Sequence, residues 1–172
     1  MATDGQLGGR TLNVSTLGGL AIAFDGRRVD DRIPAKAGAL IAYLADTGGT
    51  AARSTVAGLL WSDHTEERAR ANLRVTLTRL RAELHESVTA DRAEVRLPEL
   101  LWCDSVRLET AEPVDVLALY KGEFLAGVDL EGSALYTEWM HARREQLRSI
   151  AVSTLMRGAD DCVEGGDPAR AG

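Results

Sequence analysis

Aromatic residues are scarce in this sequence: two Phe, three Tyr and three Trp among 172 residues. A core built from it must be mostly Leu, Val, Ile and Ala. Cysteine is nearly absent too. Cys103 and Cys162 stand far apart with no C-x-x-C spacing, which excludes a disulfide scaffold and predicts two buried free thiols in a reducing compartment. No apolar run approaches the ~20 residues a spanning helix requires, so no membrane partner is expected. The opening MATDGQLGGR lacks a basic stretch followed by an apolar one, so no secretory signal is read and a cytoplasmic location is expected.

The usual marks of catalysis are missing as well. His64, His85 and His141 are the only histidines, and none stands in an H-E-x-x-H or other metal spacing, so no metal or cofactor is expected. Gly48-Gly49 has no G-x-x-x-x-G-K-[ST] around it and cannot form a phosphate loop. Glu66-Glu67 reads as acids at a helix start, where they complement the helix dipole, rather than as a catalytic pair. An enzyme is the weakest reading of this chain.

What is present is an ordinary globular composition, 45% hydrophobic, long enough for one large domain or two small ones. Of 20 basic residues only Lys36 and Lys121 are lysine, leaving 18 arginines. The net charge of -6 is unevenly spread: residues 1–110 hold 14 basic and 15 acidic residues, and 111–172 hold six and 11. The acidity therefore lies in the C-terminal third.

Along the chain, Leu12, Val14 and Thr16 alternate, as do Leu20, Ile22 and Phe24, with Asp25-Gly26 as a hairpin-type turn after them. Pro34 opens a helix through AKAGALIAYLA, which DTGGT stops. RSTVAGLLW is a short helix with Val56, Leu59 and Leu60 on one side. SDHTEE offers Asp63 or Thr65 as N-cap of the next helix. After it, SVTADRAEVRLPELLWCDSV reads as a small antiparallel unit with turns at Asp91-Arg92 and Pro98-Glu99. RLETAEP looks like a linker, and Pro113 opens a short helix. One long helix runs from Ser133, its expected N-cap, to about Glu164. Leu135, Trp139, Met140, Leu147, Ile150, Ala151 and Leu155 form its apolar side. GGDP ends it, and ARAG reads as the start of another.

The helix of residues 66–84 is the informative one. Ala69, Leu73, Leu77, Leu80 and Leu84 form one stripe for burial, expected against Leu40, Leu44, Val56 and Leu59. The other side presents Arg68, Ala71, Arg74, Val75, Thr78 and Arg79, with Arg70 and Arg81 flanking the stripe. From Arg68 to Arg81 there are five arginines and no carboxylate. A merely solvated face usually mixes both signs and has little use for a β-branched hydrophobe at its centre. In a DNA major groove the pattern makes sense, because arginine reads guanine or grips phosphate and Val or Ala packs on a thymine methyl. A rival reading is a helical interaction module whose basic helix binds an acidic protein partner. Salt-dependent binding to duplex DNA separates the two.

Strands, helix, short helix, polar loop, basic helix and hairpin follow in the order of a winged helix-turn-helix behind a small N-terminal sheet. LLWSD followed by ANLRVTLTRLRAEL resembles the OmpR-type winged helix of the actinobacterial antibiotic-regulatory-protein (SARP) transcriptional activators. LYKGEFLAG and YTEWMHARREQLR resemble the start of their bacterial transcriptional activator domain (BTAD), a helical, tetratricopeptide-like module. The resemblance spans about Leu12 to Gly172. It implies an α+β class: a winged helix over 10–106, with an N-terminal antiparallel sheet and a C-terminal hairpin, then the N-terminal part of the helical domain over 112–172. It also implies base contacts by Val75, Thr78 and Arg79, phosphate contacts by Arg68, Arg70, Arg74 and Arg81, and Arg92 at the wing tip. The loop Trp61, Ser62, Asp63, His64 and Thr65 would face RNA polymerase. The partners implied are double-stranded promoter DNA with direct repeats, RNA polymerase, and a second copy of the chain on DNA. The Gly-Tyr pair frequent at the family's wing is absent. Because relatives continue through further helices, the chain reads as truncated, with apolar surface expected near Leu155 and Met156.

Overall fold

In a computed structural model of the chain, described over residues 10–85 and 87–164 (side chains to 161), the first alternating segments form a hairpin. Strands β1 (Thr11–Ser15) and β2 (Ala21–Phe24) bury Leu12, Val14, Ile22 and Phe24 on one face. Asp25 and Gly26 both take positive φ, 48° and 77°, the combination of a two-residue primed turn. It leads into β3 (Arg27–Arg28), which pairs with β2. Helix α1 (Ala35–Asp46) starts one residue later than expected, with Pro34 as its N-cap.

The first sheet has the order β3-β2-β1-β7. Its last member, β7 (Leu100–Cys103), pairs parallel to β1 with Leu12 opposite Leu101 and Val14 opposite Cys103. The expected antiparallel N-terminal sheet is therefore mixed, and the segment assigned to a hairpin after Pro98 belongs to it. A parallel partner is joined to its neighbour by a long crossover, so no local turn marks the pairing in the sequence. The second sheet, β4-β6-β5, also departs from expectation. β5 (Thr89–Ala90) and β6 (Glu94–Arg96) form the hairpin, but β4 (Thr50–Ala52), read as part of a stop, adds a third strand antiparallel to β6.

Helices α2 (Arg53–Leu60) and α3 (Glu66–Glu83) follow β4 and pack on each other and on α1. Leu40, Leu44, Val56 and Leu60 are fully buried. Leu59, expected in the core, is only partly buried, and Leu60 takes its place.

The expected linker is ordered structure. Helix α4 (Asp104–Leu108) runs through the anticipated boundary at 106, and Leu108 is fully buried. Asp104 accepts the backbone N–H groups of Thr16 (2.7 Å) and Leu17 (3.0 Å). Beyond it, α5 (Pro113–Leu119) and α6 (Ala134–Glu164) pack together, Gly158 lying against Pro113.

The C-terminal helices share the core of the N-terminal part. Phe124 and Leu125 are buried against the β1–β2 connection, where Leu125 N–H donates to Thr16 O (2.7 Å) and Gly18 N–H to Glu123 O (3.0 Å). Trp139 sits among Tyr43, Phe124 and Tyr136, with ring centroids 5.0 to 5.6 Å apart. Arg143 of α6 reaches Asp46 at the end of α1. The buried side of α6 is Tyr136, Met140, Arg143, Leu147, Ala151 and Thr154. Leu135, expected on it, is exposed; Leu155 is half-buried, and Val152 and Met156 are open to solvent. Cys103 is free and buried as expected, and desolvation raises its thiol pKa. The side chain of Cys162 and the GGDPARAG end lie outside the described residues.

Candidate nucleic-acid interface

Thr65 caps α3, its hydroxyl accepting Arg68 N–H at 3.4 Å, with Glu66 and Glu67 in the first turn. Of the two expected caps, Thr65 takes the role. The stripe Ala69, Leu73, Leu77, Leu80 and Leu84 is buried as the 3.6-residue period requires. That burial fixes the rotation of the helix. Arg68, Ala71, Arg74, Val75, Thr78 and Arg79 are all exposed together on the outer side, and Val75 is 54% exposed.

The arginines of α3 differ in what holds them. The guanidiniums of Arg68, Arg74 and Arg79 have no hydrogen bond or ion pair among the described residues. Arg70 is exposed and paired with Glu66 one turn earlier. Thr78 donates its hydroxyl to Arg74 O (3.0 Å), so its methyl and an acceptor lone pair remain outward. Arg81 departs from the others: Nε donates to Val88 O and Nη2 to Ala90 O, both at 3.1 Å, tying the helix to the β5–β6 hairpin. This guanidinium is half-buried and sets the angle between helix and hairpin.

The hairpin tip is built by Asp91. Its carboxylate accepts the N–H groups of Glu94 (2.8 Å) and Ala93 (2.7 Å), and these bonds hold its pKa below the usual carboxylate range. Arg53 anchors this tip, donating its backbone N–H to Ala93 O (2.7 Å) and a guanidinium N–H to Asp91 O (3.2 Å). Arg92 stands exposed at the turn, on the same chain segment that Arg81 ties to α3.

The loop between α2 and α3 is only partly free. Trp61, expected to face a partner, is 5% exposed, with Lys36 Nζ 5.4 Å from its ring centre. Little of its ring is left open for direct contact with a partner. Leu60 O accepts from both Lys36 Nζ (2.8 Å) and Ser133 Oγ (2.6 Å). Ser133 stands at the N-cap position of α6, its C=O accepting Thr137 N–H (3.0 Å), while its hydroxyl donates to the last carbonyl of α2. Ser62 Oγ accepts Leu135 N–H at the start of α6 (3.4 Å). Asp63, His64 and Thr65 remain exposed. No local spacing signals this junction, because its partners lie 73 residues apart.

These features define an α+β fold in which a basic helix and a hairpin sit on one helical core, braced from behind by a long helix. The fold is shared with a solved structure of Mycobacterium tuberculosis EmbR in complex with a low-affinity phosphopeptide, at 19% identity and a TM-score of 0.62, over 84% of this chain and 45% of that chain. The chain thus spans less than half the length of the EmbR chain it matches. No family model and no curated protein matches the sequence. Among the described residues, no helix is long and apolar enough to cross a membrane.

Proposed function

We propose that this chain is the DNA-reading part of a transcriptional activator of the antibiotic-regulatory type, a winged helix-turn-helix backed by the first helices of an activator domain. The observation that carries the reading is the outer side of α3. Three exposed guanidiniums without partners surround an exposed Val75 on a helix whose rotation is fixed by its buried leucines. Exposed arginines in an acidic protein usually find carboxylates. Leaving these three unpaired keeps their donors available for a polyanion.

In this reading α3 enters the major groove. Arg79 pairs with guanine, and Val75 and the Thr78 methyl pack on base edges. Arg68, Arg70 and Arg74 hold phosphates along the groove rim, Arg70 after leaving Glu66, a surface ion pair of low worth. Arg81 serves by positioning the hairpin beside the DNA backbone. Arg92 is then carried to the adjacent minor groove. Asp63, His64 and Thr65, on the loop that α6 holds in place, form the face for RNA polymerase. Two copies on direct repeats complete the activator on its promoter, in the cytoplasm.

Selection of bound duplexes from a random pool by the full chain tests the reading. A recurring motif, bound more weakly as salt rises, is the expected outcome. Enrichment of no motif, with binding that ignores salt, would refute it. Capture of an acidic protein in place of DNA would favour the interaction-module reading.

A further inference from the structure

A cavity of about 440 Å³ opens between the β2–β3 turn and the C-terminal end of α3. Phe24 and Val29 line it together with the guanidiniums of Arg27, Arg28 and Arg32, and α3 contributes Ala82 and Glu83. The primed turn at Asp25-Gly26 reverses the chain and returns Arg27-Arg28 along β2. Arg28 is held by Asp30 at 2.6 Å. Arg27 and Arg32 are exposed, and among the described residues neither guanidinium has a hydrogen bond or ion pair. Among the described residues, the other guanidiniums without a hydrogen bond or ion pair are those of Arg68, Arg74 and Arg79 on α3, Arg92 on the hairpin, and Arg107 on α4.

The cavity continues the outer side of α3. Ala82 lies seven residues beyond Val75, about two turns along the same face, and it forms part of the cavity wall. A nucleic-acid strand leaving α3 past Arg79 and Ala82 meets Arg27 and Arg32 next. Asp25 and Glu83 also border the cavity, and Asp25 accepts Thr11 N–H at 2.9 Å. Two carboxylates disfavour a polyanionic small molecule but suit the single charge of a phosphodiester held by two guanidiniums.

We propose that this cavity is a phosphodiester-binding patch that grips the DNA backbone past the C-terminal end of α3, with Arg27 and Arg32 supplying the charge. The proposal rests on the reading of α3 as the DNA-reading helix. Its test compares the full chain with R27A/R32A on a selected 30-base-pair duplex and an unrelated one, between about 50 and 200 mM salt. The double variant should keep its melting temperature. Its plot of log affinity against log salt should be shallower by about one on both duplexes, the phosphate it no longer neutralises contributing ~0.9. Should alanine loosen the turn, R27Q/R32Q removes the charge while keeping chain length and should give the same change. Affinity and slope equal to wild type would overturn the proposal while leaving α3's role intact. Failure of the wild-type chain to bind either duplex would sink the α3 reading, and this patch with it. A melting-temperature rise with tripolyphosphate, lost in the variant while DNA slopes stay equal, would assign the cavity to a free phosphate ligand and overturn the DNA assignment.

Discussion

Asp46 ends α1, where a carboxylate opposes the helix dipole, and its side chain is 2% exposed. It is tolerated there because Arg143, 9% exposed, meets it. Nε of Arg143 donates to the two carboxylate oxygens at 3.1 and 2.9 Å, and Nη2 donates to Oδ1 at 3.0 Å. Ser105 Oγ adds a fourth bond to Asp46 at 2.7 Å, and Arg143 also reaches Glu109 and Gln146. Removing Arg143 strands Asp46 as a buried, unpaired charge, which costs about 3–5 kcal/mol, whereas removing Asp46 leaves Arg143 its pair with Glu109. Arg143→Met should lose that much in urea unfolding, a denaturant that does not screen charge, and Asp46→Ala less. The double change Asp46→Leu with Arg143→Met removes both charges and should cost far less than the two single losses combined, because buried pairs exchanged for apolar residues are often near neutral. An Arg143→Met loss below 1 kcal/mol, or strict additivity, would refute the claim that this pair locks α6 to α1.

Leu77→Ala, in the buried stripe of α3, should cost about 2–5 kcal/mol of stability. Arg79→Ala should leave unfolding unchanged within about 0.5 kcal/mol and lower specific DNA affinity by about 1–3 kcal/mol; thermal melts and fluorescence anisotropy separate the two. Gly158→Ala would place a methyl 2.8 Å from Pro113 Cγ and should destabilise the α5–α6 contact by about 1–3 kcal/mol, read by urea unfolding. Asp91 titrates lower folded than unfolded. Its contribution to the hairpin turn is therefore present above the usual carboxylate range and lost as pH falls through the lowered value. Asp91→Asn should flatten that acid-side loss of hairpin order, followed by amide exchange of Ala93 and Glu94.

The parts legible in the sequence were those governed by local period and turn chemistry. The α3 stripe, the Asp25-Gly26 turn, the Thr65 cap and the Pro113 helix all follow from spacings within a few residues, and the structure has each of them. Pairings across long separations were not legible. β7 joins β1 in parallel across 85 or more residues, and β4 pairs with β6 although its own three residues carry no alternation. Nothing in the spacing around Arg143 points to Asp46, 97 residues earlier. In the candidate site, the exposed side of α3 could be read from the wheel, but Arg81's tie to the hairpin and the burial of Trp61 required tertiary structure.

The central claim is that α3 reads DNA through its unpaired outer side. The most direct measurement is the affinity of the full chain for its selected duplex and for one with the guanine opposite Arg79 replaced, each with wild type and Arg79→Ala, at several salt concentrations. The account predicts that wild type discriminates between the duplexes by about 1–3 kcal/mol, that Arg79→Ala abolishes the discrimination, and that both proteins bind more weakly as salt rises. Discrimination undiminished in Arg79→Ala, or affinity indifferent to salt, would contradict it.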